Sequence, residues 1–431
     1  RERGELDEWG PFVSGGIWRG FLSMYDESNT MTRKMVRVSE KLARVERTIA
    51  ALAETDELDE ARRAAGTGRE PAVDTEAVEE ARTELWRGQC NCAYWHGVFG
   101  GLYLPHLRSA IYEHLIAAEN LLDSARGARW DSIDVVDHDL DGNEEVLLES
   151  HWANVYVAPA RGGTVFEFDI RRARWNVLAT MSRYAEAYHK AMGDASSSSA
   201  TGEEVASIHD AVAAKDEGLE RFAMSDAFTR RGAVDHFLAP GTKRSALEAG
   251  TAPELADFAD GRYDFRPFRG EGGIGVIMRR SGVFAGTRIE VEKTVKLTPD
   301  VALIVEYSIR PEGSIELLFA PEWNLAFLTD NEDYVYLEHG DSGRLNAGRR
   351  HAFGGCRGVR AVDLLRGEVL LVEGDPVCTL WAYPLETASQ SEAGLERVFQ
   401  GATLVTAWEL SIDAGTEARC SLELRAQREG G

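Results

Sequence analysis

Two stretches of the chain carry residue types whose spacing could do chemistry. The first is Gln89-Cys90-Asn91-Cys92-Ala93-Tyr94-Trp95-His96-Gly97-Val98-Phe99-Gly100-Gly101-Leu102-Tyr103-Leu104-Pro105-His106-Leu107-Arg108, which gathers Tyr94, Trp95, His96, Phe99 and Tyr103 around three glycines. Large rings on irregular backbone line concave binding sites. They also fill buried turns between helices, and residue types alone leave both readings open.

The second stretch sets Asp137, Asp139, Asp141, Asn143 and Glu145 at alternate positions around Gly142. Oxygen donors in that pattern suit a hard cation such as calcium, which takes roughly six to eight oxygen ligands. The pattern departs from an EF-hand, because Leu148 stands where the bidentate glutamate belongs and a strand rather than a helix follows. The expectation is a structural Ca2+ on these five residues, with a metal-free acidic turn as the alternative. No other cofactor is called for.

The remaining motifs are weaker. Cys90 and Cys92 stand too close together to be half of a zinc ribbon and read as small buried residues, and His96, His106 and His114 form no HExxH pair. Gly270-Glu271-Gly272-Gly273-Ile274-Gly275 opens no helix and reads as a turn between strands. Neither a Walker loop nor a GxSxG elbow occurs. Carboxylates are plentiful, but sequence alone pairs no two of them at the separation glycoside chemistry needs.

The elements that must position these stretches change character along the chain. Met31, Met35, Val38, Leu42, Val45, Ile49 and Leu52 recur at three and four, the stripe of a long helix with Ser28 and Asn29 as capping oxygens. Residues 55–74, with Gly66, Gly68 and Pro71, read as a surface loop, and Val73 to Trp86 as a second helix. Pro105 suits the first turn of a third, whose face is Leu107, Ile111, Leu115, Ala118 and Leu122.

From about Ala125 short β-rich runs replace helices: 129–134, 145–149, 154–158, 164–170, 288–297, 301–309, 314–319, 334–338, 368–372, 379–383, 403–412 and 419–424. Close spacing with turn residues between them predicts antiparallel sheets packed as a sandwich. Within this half, 193–202 with its serine run reads as a loop and 203–222 as a short helix.

Composition restricts the partners. The 431 residues include 48 Lys and Arg against 72 Asp and Glu, a net charge of −24. That argues against nucleic acid and against anionic membranes, and it accommodates a neutral partner. Five scattered cysteines make no disulfide framework and favour a reducing cytoplasm. No run of 18 apolar residues occurs, and the given N-terminus lacks the basic and apolar regions expected of a signal peptide. The chain opens at Arg1, in a Trp9-Gly10-Pro11-Phe12 run that reads as the middle of a longer protein.

The 89–108 stretch resembles the last signature region of glycoside hydrolase family 57, in the 4-α-glucanotransferase and α-amylase branch. Gly20 to Asn29 followed by Met31 to Met35 is similar to that branch's tyrosine-acid-asparagine turn entering a helix. Gly162-Gly163 with Glu167 and Asp169, then Ala185 to His189, resemble its C-terminal sandwich, and Pro384 to Gly394 with Val398-Phe399-Gln400-Gly401 match a further block. The resemblance implies a retaining mechanism on α-1,4-glucans, with a Glu nucleophile and an Asp acid/base in barrel regions that nothing here matches. It implies Trp95 as a stacking platform for a glucose ring, with Asn91, His96 and Tyr94 beside it. Cys92 departs from the acidic residue that relatives commonly place there.

These readings together predict an α+β multidomain chain. Residues 1–125 would be a helical segment ending a distorted (β/α) barrel region, and 126–431 a large antiparallel β-sandwich. The partner would be an α-glucan or maltooligosaccharide, the location cytoplasmic, the assembly a homo-oligomer, and the chain alone inactive for want of the catalytic pair. The other class left open is a non-catalytic glucan-binding or scaffolding sandwich.

Overall fold

The computed structural model describes residues 18–63, 75–96, 100–186, 188–189, 219–222, 224–340, 342–391 and 394–430. Outside them lie the Trp9–Phe12 run, Gly66, Gly68 and Pro71, Gly97 to Phe99, the serine tract, and residues 203–218 of the expected short helix. The part of that helix within them, Leu219–Phe222, is a single 3-10 turn.

Among the described residues, four α-helices form the first part: α1 (Trp18–Met24), α2 (Asp26–Arg63), α3 (Thr75–Arg87) and α4 (Pro105–Leu122). Helix α2 buries Met31, Val38 and Leu42 and half-buries Met35, Val45 and Ile49, as its three-four spacing requires. It begins at Asp26, before the two expected capping residues, and it continues through residues 55–63, which had read as loop. Pro105 opens α4, where its missing N–H leaves no bond unmade. Tyr25, Leu85, Tyr94, Leu102, Tyr103 and Ile111 join one core that also takes in Met181 from the later part of the chain.

The strands from Asp131 onward are antiparallel throughout. Asp131–Val136, Glu145–Ser150, Ala153–Ala158 and Thr164–Ile170 pair in succession, and Val165 then meets Gly232 of Gly232–Leu238. That strand leads through Ile315–Ala326 and Gly394–Ile412 to the long strand Glu368–Ser391. The second half of this long strand, from Thr379, pairs with Gly394–Ile412, whereas its first half, up to Asp375, pairs with Ala418–Arg428. From there pairing continues through Ala302–Pro311, Thr287–Leu297, Gly273–Phe284 and Asp264–Gly270. One strand shared in this way turns the pairings back over themselves and encloses a sandwich core that includes Val155, Phe168, Val291, Leu317, Trp323 and Leu404.

Most expected strands are present, several of them longer, and 368–372 and 379–383 are one continuous strand. Gly232–Leu238, Asp264–Gly270, Gly273–Phe284 and His351–Asp363 had not been read from the sequence. The 270–275 glycine run is a hairpin tip, with Gly270 opposite Gly273.

The helices are fastened to the sandwich by buried charge. Lys34 of α2 puts its Nζ 2.7 Å from Glu119 of α4 and 2.8 and 2.7 Å from Glu167 and Asp169 of strand Thr164–Ile170, all four side chains fully buried. Lys41 and Arg171 extend the network to Asp123.

Candidate functional site

Trp95 lies between two short 3-10 turns, Asn91–Tyr94 and Gly101–Tyr103. Trp95 is 41% exposed. The backbone beneath is fixed. Leu102 donates its N–H to the Trp95 carbonyl at 2.9 Å. Gly101 at φ 46° permits this approach, since a Cβ there would stand 2.2 Å from the same oxygen.

Ser28, expected to cap α2, instead donates its hydroxyl to the Tyr94 carbonyl. The helix start and the aromatic stretch are thereby joined. Tyr94 itself departs from the expected sugar contact: it is buried, its hydroxyl bonds the Gly88 carbonyl, and its ring belongs to the helical core. It supports the stretch from below. Asn91 is exposed beside Trp95 in sequence, and so are Cys90 and Cys92, which had read as small buried residues, while His96 is half-buried.

The His96 ring is 4.6 Å from that of Tyr103, 5.7 Å from Tyr188 and 6.2 Å from Tyr25. Burial lowers its basicity, against the pull of the nearby Glu186 carboxylate. Glu186 accepts hydrogen bonds from Tyr25 at 2.8 Å and Tyr103 at 2.6 Å. From the far end of the chain, Gln400 donates to the Tyr103 carbonyl at 2.8 Å and accepts from Arg108. Segments separated by almost the whole sequence thus converge on 94–108.

Next to this cluster Asp26 and Glu27 begin α2. Burial would raise Asp26, but Arg231 at 2.6 Å and Arg161 at 3.0 Å outweigh it and hold the carboxyl below its usual range. Glu27 is pushed up, by burial and then by Asp26, while it accepts from the Ser182 N–H and the Tyr184 hydroxyl. A cavity of about 840 Å³ opens here, lined among others by Arg19, Asp26, Asn29, Arg33, Arg161 and Tyr184. Trp95 is not on its wall. Arg161, Tyr184 and Glu186 were missed as members of this region, since only tertiary contact brings them to α2.

The five expected metal ligands divide into two sets. Oxygens of Asp137, Asp139 and Glu145 lie within 4.8 Å of one another. Asp141 pairs with Arg161 at 2.9 Å, as Asp139 does at 3.2 Å, and the Asn143 side-chain oxygen accepts from Arg262. A pattern read along the chain reveals neither arginine. Glu145 is buried and accepts the His138 N–H at 2.8 Å. Burial, followed by Asp139, pushes its carboxyl up to about 7.

Comparison with known proteins gives this arrangement a context. Residues 137–422 match the family model described as alpha-amylase/4-alpha-glucanotransferase, C-terminal, and 16–66 with 67–122 match the corresponding middle domain. The chain belongs to this family. Curated members include Alpha-amylase 1 of Dictyoglomus thermophilum, 34% identical over 96% of this chain and 55% of its own length. A 4-alpha-glucanotransferase of Thermococcus kodakarensis is 31% identical over 93% of the chain and 52% of its own. The crystal structure of 4-alpha-glucanotransferase from Thermococcus litoralis superposes with a TM-score of 0.69 at 26% identity, covering 98% of this chain and 53% of that one. The chain therefore spans about half the length of these alpha-amylase/4-alpha-glucanotransferase relatives. The expected glycoside hydrolase family 57 resemblance and the helical-plus-sandwich fold are both borne out.

Proposed function

We propose that this chain supplies the glucan-binding rim and the sandwich scaffold of an enzyme that cleaves or transfers α-1,4-linked glucose, with the helical part over 1–125 and the sandwich over 126–431. The observation that carries this reading is the Trp95 indole, exposed on a backbone that Leu102, Gly101 and Ser28 hold in place. A rigid, open ring suits the C–H face of a sugar, and a fixed platform loses little conformational freedom on binding. Asn91 and His96 would meet the hydroxyls around it.

In this reading the catalytic carboxylates come from polypeptide other than these residues. Binding at Trp95 orients the glucan across them, so part of the barrier is met by positioning. The chain alone is then inactive, in a cytoplasmic setting and with a homo-oligomer as the assembly to test. Titration calorimetry with maltoheptaose is the experiment. The chain should bind, and Trp95→Ala should weaken binding by about ten-fold, roughly 1.4 kcal/mol, without lowering the melting temperature. Equal affinity in the variant would remove the reading, as would new sugar lengths formed by the chain alone for the claim of inactivity.

A further inference from the structure

Three cysteines that the sequence showed only as scattered residues lie buried in the sandwich, and two of them face each other. Cys356 of His351–Asp363 stands directly opposite Cys378 of Glu368–Ser391. Directly opposed residues in an antiparallel pair have Cα atoms about 4.5 to 5.5 Å apart, inside the range a disulfide spans. The Cys378 Sγ is 3.7 Å from the Cys356 carbonyl oxygen, and both cysteines are free thiols.

The surroundings allow this pair to react. The ladder slips on both sides of Cys356, between Phe353 and Cys356 and again between Cys356 and Gly358, so neighbouring hydrogen bonds do not lock its backbone. Gly354 and Gly355 are exposed just before Cys356, and Asp375, Pro376 and Val377 just before Cys378. Each thiol is buried, yet it lies one residue from solvent.

We infer that Cys356 and Cys378 are a modification site at which a hydroperoxide converts two thiols into a cross-strand disulfide. The two sulfurs are unequal partners. The hydrogen bond from Cys378, aided by His339, holds the Cys356 thiol down to about 6, whereas the same bond and burial push Cys378 far up. Cys356 is accordingly the nucleophile.

Its thiolate attacks the terminal oxygen of the peroxide, an S–O bond forms, the O–O bond breaks, and the leaving alkoxide, or hydroxide from hydrogen peroxide, takes a proton. The Cys378 sulfur then attacks the sulfenic sulfur. The S–S bond forms, the S–O bond breaks, and the oxygen leaves as water with the Cys378 proton. Two thiols are oxidised by two electrons in total, and one peroxide is reduced. The bridge closes a separation of 22 residues, restricts the unfolded chain, and is reversed by an external thiol.

Hydrogen peroxide on the folded wild-type chain, followed by alkylation, trypsin and non-reducing mass spectrometry, tests this. The expected product joins peptide 351–357 to peptide 367–397, disappears on reduction, and accompanies a rise in melting temperature. In Cys378→Ser the same dose should leave a sulfenic acid on Cys356 that dimedone captures. Recovery of Cys356 and Cys378 as unlinked thiols, at a dose that oxidises exposed Cys90 and Cys92, would overturn the inference. So would linkage of Cys378 to buried Cys420 instead. Neither result bears on glucan binding, which is measured separately.

Discussion

Leu102 donates its backbone N–H to the carbonyl of Trp95 at 2.9 Å, and Gly101 between them is what lets the two backbone segments come so close. A methyl group at position 101 meets that carbonyl oxygen at 2.2 Å and must also adopt φ 46°, which side-chain-bearing residues rarely do. The platform therefore depends on a residue that never touches sugar. Gly101→Ala should cost about 1–3 kcal/mol of stability and weaken maltoheptaose binding as the indole loses its fixed orientation. Urea melts and calorimetry on the same preparation check this, and unchanged affinity with unchanged stability would contradict it.

The seam between helices and sandwich makes a larger prediction. Lys34 is the cation shared by buried Glu119, Glu167 and Asp169. Replacing it by the similarly long methionine strands that carboxylate cluster, and breaking a buried pair in this way costs about 3–5 kcal/mol. Glu167 differs from its neighbours. Burial and then Asp169 drive its carboxyl well above the normal range, so of the three carboxyls its negative charge is the least favoured. Glu167→Gln should hence cost under about 1 kcal/mol, and denaturant unfolding that found the two variants alike would refute the assignment.

Glu186 supplies a third case, because Tyr25 and Tyr103 both direct their hydroxyls at one of its oxygens. Tyr103→Phe keeps the ring beside His96 but removes one donor from a buried carboxylate. A loss of about 1–3 kcal/mol follows, with the Trp95 platform left in place. Thermal melts should move while maltoheptaose affinity stays within a factor of two or so. A large affinity loss would show that this cluster itself contacts the sugar.

What the sequence displays and what it hides differ for physical reasons. The stripe from Met31 to Ile49 is periodic and names both the element and its buried face, whereas the alternation in 164–170 names a strand that proves buried on both faces. The strand His351–Asp363 is broken by Gly354, Gly355 and Gly358, and its two register slips erase any clean alternation. Lys293 hides in another way. It occupies an inward position in the row Ile289, Val291, Val295 and Leu297, neutralised by Asp235 at 2.7 Å. In the candidate site the exposed Trp95 was legible as a large ring among glycines. The burial of Tyr94, the pairing of Asp141 and Asn143 with arginines, and the arrival of Glu186 and Gln400 all depend on contacts between distant segments. No local pattern encodes those.

The acidic turn gives the last prediction, and its sign follows from Glu145. A carboxyl raised in the folded state from 4.5 to about 7 keeps a proton that the unfolded chain has released. Between those values the folded form binds more protons, so stability should fall as pH rises from about 5 to 7.5, by at most about 3 kcal/mol for this group. Glu145→Gln should flatten that part of the profile. We propose that calcium opposes the same loss, because Asp137, Asp139 and Glu145 bring oxygens within 4.8 Å of one another and one Asp137 oxygen is buried without a partner. Millimolar calcium should raise the melting temperature at pH 7.5 more than at pH 5, where the proton competes for Glu145, and should do little for Glu145→Gln. A calcium shift that is absent, or equal at both pH values and in the variant, would leave the turn as an acidic loop held by Arg161 and Arg262 alone.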